Sequence, residues 1–510
     1  MPRAEVPHAE KPRPMRVLYI DIDCLRPDHL GCYGYCRETS PNIDRLAAES
    51  LLFANCHTSD APCLPSRAAL FSGRFGINNG VTCHDGPASQ LRYAGIGHSH
   101  HREGRMLMRV FQDEGWNTVS FSGFAQRHVA WWYVAGFTEH HGSKLPGGSE
   151  HAHQVNDLVL EWLREHGRED NWFLHAHYWD VHTPYEAPDE LVELMAEQPL
   201  PDFPDEETVR GHYESMYGSR TAHDWWGPTW KSRCKNMPDE LSDLSRFGQA
   251  LNGLDAAVLY ADRAVGQILD LLGQLGVEEE TVVILSSDHG EAIGELGMYF
   301  EHGNATEGVT HLPLIVRWPG VTDGGLRSDA FVYQLDLCPT LTEMLSMPTP
   351  ERWDGRSFAA ALRGERFEGR PYLVCGCGIY SFQRAVRIPE WRMIRTIHSG
   401  CYPYEPLYLF NMTEDPNQVH NVADEEPGVV AEMDHLLSEW WHEHCTGSDA
   451  SLDPFQLQMA AGFTPDLYCS LDAMLQRLKD TGREDQYEDL RRRRLERRPL
   501  PRPWGNLLIG

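Results

Sequence analysis

Apolar positions along the chain alternate between two periods. Short apolar runs occur at Val17-Leu18-Tyr19-Ile20, Thr118 to Phe121, Asn171 to Tyr178, Thr281 to Ser287 and Leu312 to Trp318. They are too short for buried helices and predict strands. Helical spacing separates them: Met106 to Glu114 stops at Gly115, and Val258, Ala261, Val265, Ile268 and Leu272 mark one stripe between Leu254 and Leu275, closed by Gly276. Ser40 as N-cap and Pro41 at the first helical position start a further helix, with Leu46, Ala47 and Leu51 inward. The alternation predicts an α/β fold, a large mostly parallel (mixed) sheet sandwiched by helices.

After about residue 375 the texture changes to short polar-alternating strands, Arg384 to Arg395 and Leu407 to Phe410, followed by a closing helix from Val429 to Trp441. The expected organisation is an N-terminal tail (1–15), a catalytic α/β domain (16–375) with an insertion at about 186–250 that shapes substrate access, a small C-terminal antiparallel-sheet α+β domain (376–450), and an extension (451–510). The extension ends in Arg491 to Arg494, Arg497 and Arg498 flanked by acidic residues, read as a solvated tail or a subunit contact of a homo-oligomer.

Lys+Arg 45 against Asp+Glu 75 leaves a formal charge of −30, which excludes a general affinity for nucleic acid or anionic membranes. An anionic substrate therefore needs a local positive site. The first fourteen residues carry no apolar signal region, and no run reaches a membrane span, so a cytoplasmic protein is expected. Thirteen cysteines without a framework pattern, with Cys375-Gly-Cys377 too tight for a paired zinc knuckle, fit reduced thiols.

Candidate chemistry gathers at strand ends. Asp21-Ile22-Asp23 and Asp288-His289 each close a predicted strand on the same edge, where α/β sites are built, and together suit a divalent metal. Cys63 precedes an apolar-periodic run that reads as a helix with Pro65 in its first turn, a place that favours an anion. Arg67 adds a fork of donors for a tetrahedral oxyanion.

The run Cys63-Leu64-Pro65-Ser66-Arg67 resembles the C-x-P-S-R signature of type I sulfatases, within the alkaline phosphatase superfamily. Val17 to Gly34, Ser287-Asp288-His289-Gly290-Glu291, and Leu407 to Asn417 with Asn421 to Asp424 are similar to the family's other segments, in order, over residues 16 to 441. The resemblance implies a sulfuric ester hydrolase whose nucleophile is formylglycine, made from Cys63 by a formylglycine-generating enzyme. It implies that Asp23, residue 63, Asp288 and His289 hold one divalent ion, calcium first, with manganese or magnesium as alternatives. Arg67 would steady the oxyanion, and His182 would protonate the leaving group of a small-molecule or carbohydrate sulfate ester. His302 falls where the family carries a lysine on the ester oxygens; its alternative is a surface loop histidine.

Two departures accompany the resemblance. Asp23-Cys24 replaces a pair of aspartates, removing a carboxylate unless Asp21 bends in. The family's Gly-Lys-x-His should fall near Ser122 to Ala125 and is absent, leaving His84 and His128 as substitutes. The alternative function is a phosphonate monoester or phosphodiester hydrolase of the same superfamily; a third is a non-catalytic binding protein. The His98 to His101 and His140-His141 clusters read as solvated.

Overall fold

The structure, a computed structural model, describes residues 15–91, 105–215, 234–322, 324–400, 402–447, 452–461, 471–480 and 482–496. The tail before Met15, the histidines at 98–101 and the end of the basic run, Arg497 and Arg498, lie outside them. Across the main sheet the strands run Leu326–Tyr333, Leu51–His57, His311–Arg317, Thr281–Ser286, Arg16–Ile22, Trp172–Tyr178, Asn117–Phe121 and Glu139–His140. Neighbours are parallel except at His311–Arg317, which is antiparallel to both of its own.

The central strand, Arg16–Ile22, shows why the run is apolar throughout. Leu18, Ile20 and Ile22 enter one core with Val258, Val265 and Ile268, while Val17 and Tyr19 enter the other with Phe71, Phe111 and Leu341. Each such buried side chain contributes about 1.5–3 kcal/mol. Period two then places Asp21 and Asp23 on the face of Val17 and Tyr19, the side that also holds the helix Cys63–Ser72.

The long helix spans Leu244–Leu275, beginning ten residues before the expected start. Leu244, Phe247 and Leu251 extend the stripe of Leu254 and Val258 at spacings of three and four, and Asp243 caps it by accepting the Arg246 N–H (3.0 Å). The stretch at 186–250, read as an insertion, also contains the helices Asp189–Ala196 and Glu206–Ser215. Ser40 does not cap the helix Pro41–Ala47 with its side chain. Asp262 of the long helix does so, accepting the Asn42 and Ile43 N–H groups at 2.9 and 2.8 Å.

A second sheet orders Leu407–Asn411, Trp391–His398, Phe382–Arg387, Leu373–Gly378 and the two-residue strand Asp60–Ala61. Its first four strands are antiparallel, and Asp60–Ala61, just before Pro62 and Cys63, joins in parallel. The helix Pro427–Gly447 covers this sheet, and Pro454–Ala460 returns to it, with Phe455 stacked on Phe382 at 5.0 Å. Those first residues of the extension therefore pack on their own chain. No helix among the described residues is long and apolar enough to cross a membrane.

Glu307 ties the two sheets, accepting from Arg392 of the small sheet at 2.6 Å and meeting His57 Nε2 of the large one at 3.1 Å. Burial pulls the His57 imidazole down to about 4, overriding the raising effect of Glu307. The folded pKa lies below the unfolded value, so the neutral ring's contribution is complete above about pH 6.5 and is lost as pH falls toward about 4, amounting to as much as about 3 kcal/mol. The urea midpoint should fall between pH 7 and 4.5, and His57→Gln should flatten that fall. A midpoint constant over this range in the wild-type protein would refute it.

Candidate active site

Three parallel strands deliver their carboxyl ends side by side. Asp21 pairs in register with His177 on one side and Ser286 on the other, so Asp21, Asp23, His175, His177 and Asp288-His289 converge at one edge. The helix Cys63–Ser72 points its N-terminus at that edge, fixed by Ser66 Oγ donating to the Asp288 carbonyl at 2.6 Å. Cys63, 1% exposed, lies with Sγ 3.1 Å from His289 Nε2 and 3.9 Å from Asp23 Oδ1.

Arg67 organises the floor. Its Nε and Nη2 donate to the two oxygens of Asp21 at 2.9 and 3.0 Å, and Nη1 donates to Asp23 at 2.8 Å and to Asp288 at 2.5 Å. Nη2 also lies 2.6 Å from His177 Nε2. A guanidinium only donates, so that nitrogen accepts, leaving the proton on Nδ1 for Ser122 Oγ at 2.8 Å. Arg67 is thus saturated by carboxylates, and Asp21, expected as a spare metal ligand, is bound to it and to His175 (3.2 Å) instead.

Burial raises the Asp23 carboxyl, but the Arg67 guanidinium outweighs it and holds it well below the usual range. Burial and the nearby Asp23 charge win at Asp288, raised to about 6 although it shares the same guanidinium nitrogen. Burial together with Asp23 and Asp288 pushes the Cys63 thiol well above its ordinary value, so an unmodified Cys63 is a neutral thiol and a poor nucleophile.

Ligand atoms of Asp23, Cys63, Asp288 and His289 lie within 4.8 Å of one another, all buried. Ligands across a divalent ion at about 2.0–2.6 Å are separated by about 4–5 Å, so the four residues fit such an ion. His289 Nδ1 donates to the Gly290 carbonyl at 2.8 Å, which turns the Nε2 lone pair inward. Three carboxylates facing one guanidinium also leave negative charge that a cation would compensate.

Cys24, where the family has a second aspartate, adopts φ 60° and donates its N–H to Asp288 at 3.2 Å. Its thiol donates to Asp23 at 3.2 Å and falls in a different group, with His182 and His302. His302 is 1% exposed, its ring 4.6 Å from His289 and 5.3 Å from His182. The surface-loop alternative for His302 is thus excluded. His182 Nδ1 donates to the Thr183 carbonyl at 2.6 Å. His84 accepts the Leu64 N–H at 3.4 Å, beside Cys63, and stacks edge-on with His128 at 4.9 Å. Burial lowers the pKa of His84, His128, His182 and His302, keeping the four imidazoles neutral at pH 7.

Where a lysine is absent, Phe124 puts its ring under Arg67, 5.0 Å from Cζ. Sequence reasoning missed Arg127, one helical turn beyond in Phe124–Arg127, stacked 4.8 Å over Trp179. It also missed His175 and His177, which period two puts on one face of their strand. The signal for Arg127 was the run Gln126-Arg127-His128 just past the lost motif.

Fold and site together define an α/β enzyme scaffold with a buried group of candidate cation ligands that includes a cysteine. The sulfatase family profile matches residues 16–347, and an N-sulphoglucosamine sulphohydrolase C-terminal profile matches 294–442. The chain belongs to the sulfatase family. It is 23% identical over 434 residues to the ulvan-active sulfatase of Formosa agariphila, covering 82% of this chain and 78% of that one. A protein solved with its substrate D-glucosamine-2-N,6-O-disulfate superposes with TM-score 0.68 and 17% identity, over 85% of this chain and 98% of the other. The phosphonate monoester hydrolase of Agrobacterium radiobacter gives TM-score 0.66 and 19% identity, over 85% and 96%. These two likenesses concern the fold.

Proposed function

We propose that the chain is a sulfuric ester hydrolase acting on small-molecule or carbohydrate sulfate monoesters, with residue 63 in its formylglycine form as nucleophile. The observation that carries this is Cys63 itself, set at a helix N-terminus with its thiol turned to a carboxylate, guanidinium and imidazole cluster. Asp23, residue 63, Asp288 and His289 would hold one divalent ion, calcium or, given the imidazole, manganese or magnesium. Such an ion, when bound, lowers the pKa of a hydroxyl on residue 63 and neutralises ester oxygens.

The chain's own residues supply the rest. Arg67 fixes Asp21, Asp23 and Asp288 in one orientation and brings positive charge beneath residue 63. The helix Cys63–Ser72 places the positive end of its dipole at residue 63. His182, neutral and with its Nδ1 proton tied to Thr183, presents Nε2 as an acceptor, and it protonates the leaving group only after taking up a proton at that nitrogen. His302 stands beside His289 as a neutral donor to an ester oxygen.

Phosphonate monoester or phosphodiester hydrolysis is the second reading, favoured by His289 in the ligand group and by the thiol of Cys24 beside it. Turnover of aryl sulfate, phosphonate monoester and phosphodiester by protein co-expressed with a formylglycine-generating enzyme decides between them. The sulfate ester should give the highest kcat/KM, and a phosphodiester preferred by more than tenfold would replace the first reading with the second.

A further inference from the structure

The charges around Cys63 leave one cation unassigned. Asp21, Asp23 and Asp288 saturate Arg67, so Arg67 has no hydrogen-bonding edge left for a substrate. With a divalent ion at the four-residue cluster, Asp21, Asp23, Asp288 and the Arg67 guanidinium reach neutrality, while the buried Glu291 carboxyl, 3.9 Å from His302 Nδ1, stands beside the same centre. An anionic ester entering that centre needs a further positive charge, within a chain whose global charge of −30 repels it.

Arg127 is a guanidinium near this centre with no carboxylate within ion-pair distance among the described residues. Its Nη1 donates to the Gly148 carbonyl at 3.0 Å and its Cζ lies 4.8 Å over the Trp179 ring. Trp179 borders the floor and the acid, 5.8 Å from Arg67 Cζ and 5.7 Å from the His182 ring. His128 stacks on Trp179 at 6.2 Å, and His84, in contact with His128, reaches the N–H beside Cys63. Trp179 Nε1 and His128 Nε2 are buried without a hydrogen-bond partner, a cost of about 1–3 kcal/mol each that a bound polar ligand would relieve. The charge of Arg127 is felt at Cys63, His84, His128 and His182 alike.

Its position is built in. A Cβ on Gly148, at φ +88°, would meet Arg127 Cδ at 2.4 Å, so the glycine leaves the room the side chain occupies. Glu150, 3% exposed, accepts N–H groups from Gly148 at 2.6 Å and from Gly123 at 2.9 Å, clamping that loop to the start of the helix that carries Arg127.

We propose that Arg127 contacts the unesterified oxygens of the substrate, and that this guanidinium, without an ion-pair partner among the described residues, sets a preference for esters bearing a single negative charge. The proposal rests on the hydrolase reading above. Sulfate monoesters, phosphodiesters and phosphonate monoesters carry one charge near pH 7, whereas a phosphate monoester carries about −1.5 to −2 and would leave charge uncompensated.

The test uses metal-loaded protein with residue 63 converted, assayed on 4-nitrophenyl sulfate, bis(4-nitrophenyl) phosphate and 4-nitrophenyl phosphate, with inhibition by inorganic sulfate read in parallel. The wild type should disfavour the phosphate monoester by at least about tenfold relative to the preferred monoanion. Arg127→Gln should lower kcat/KM on the monoanionic esters and weaken sulfate inhibition roughly ten- to a hundredfold, flattening the dependence on ionic strength. Arg127→Lys should restore part of each, and Gly148→Ala should fall between. Turnover and sulfate inhibition that are unchanged in Arg127→Gln, or a wild type preferring the phosphate monoester, overturn the proposal while the hydrolase reading stands. A wild type inert on every ester overturns that reading and this one with it. Melting temperature measured on each variant separates a lost contact from a lost fold, since Arg127→Lys keeps the charge in the same setting.

Discussion

Cys63→Ala is expected to abolish turnover, by at least about 10⁴-fold in kcat, while the protein melts within a few degrees of the parent. The side chain lost is small, so the void costs about 1 kcal/mol. The floor beneath it survives, because Arg67 keeps its bonds to Asp21, Asp23 and Asp288 without the thiol. Cys63→Ser should be nearly as inactive. Its single hydroxyl can attack an ester but offers no second hydroxyl to expel the group it has gained. Intact mass of the residue-63 peptide decides whether the parent is converted: a converted peptide is lighter than the thiol form, and full activity with unconverted Cys63 or with alanine would remove residue 63 from the chemistry.

The second large effect concerns the ion. Asp23→Asn and Asp288→Asn should each bring bound divalent metal below about a tenth of wild-type stoichiometry and lower kcat/KM by about 10³-fold or more. Both carboxylates are wholly buried and share Arg67 Nη1, so neither has water or a second cation to take the place of the ion. Binding to the folded state alone stabilises by mass action, about 2.7 kcal/mol at a hundred times Kd, so added calcium or manganese should raise the wild-type melting temperature and leave both variants unmoved. Wild-type stoichiometry retained in both variants would mean that other residues hold the ion.

What could be read from the sequence was local. Apolar runs ending in Asp23 and Asp288 announced both strands and their shared edge, because strand period and carboxyl-end placement are set within a few residues. The partners of Arg67 were not legible, since its bonds reach residues 46 and 221 positions away. Arg127 was hidden by a shift of one helical turn, which no motif spacing preserves. The depth of His302 depends on Gly303, where a Cβ would meet the Tyr380 ring at 2.2 Å, and on Cys377 donating to the His302 carbonyl at 3.4 Å. Those contacts come from the second sheet, whose approach to the loop no periodicity before residue 375 encodes.

The two residues Asp60–Ala61 hydrogen-bond as a strand to Leu373–Gly378, and a buried Cys63 follows at once. Ribosomes add about 5–20 residues each second, so the partner strand emerges about 15–60 s after the cysteine does. Throughout that interval the segment around residue 63 lacks the strand that seats it. Once the second sheet closes, a thiol 1% exposed beneath a folded domain is beyond the reach of any protein catalyst. On the proposed function, conversion of Cys63 would be a race between an oxidising enzyme and the synthesis of the chain up to Leu373–Gly378, and slowing translation between residues 63 and 373 should raise the fraction of molecules that win it.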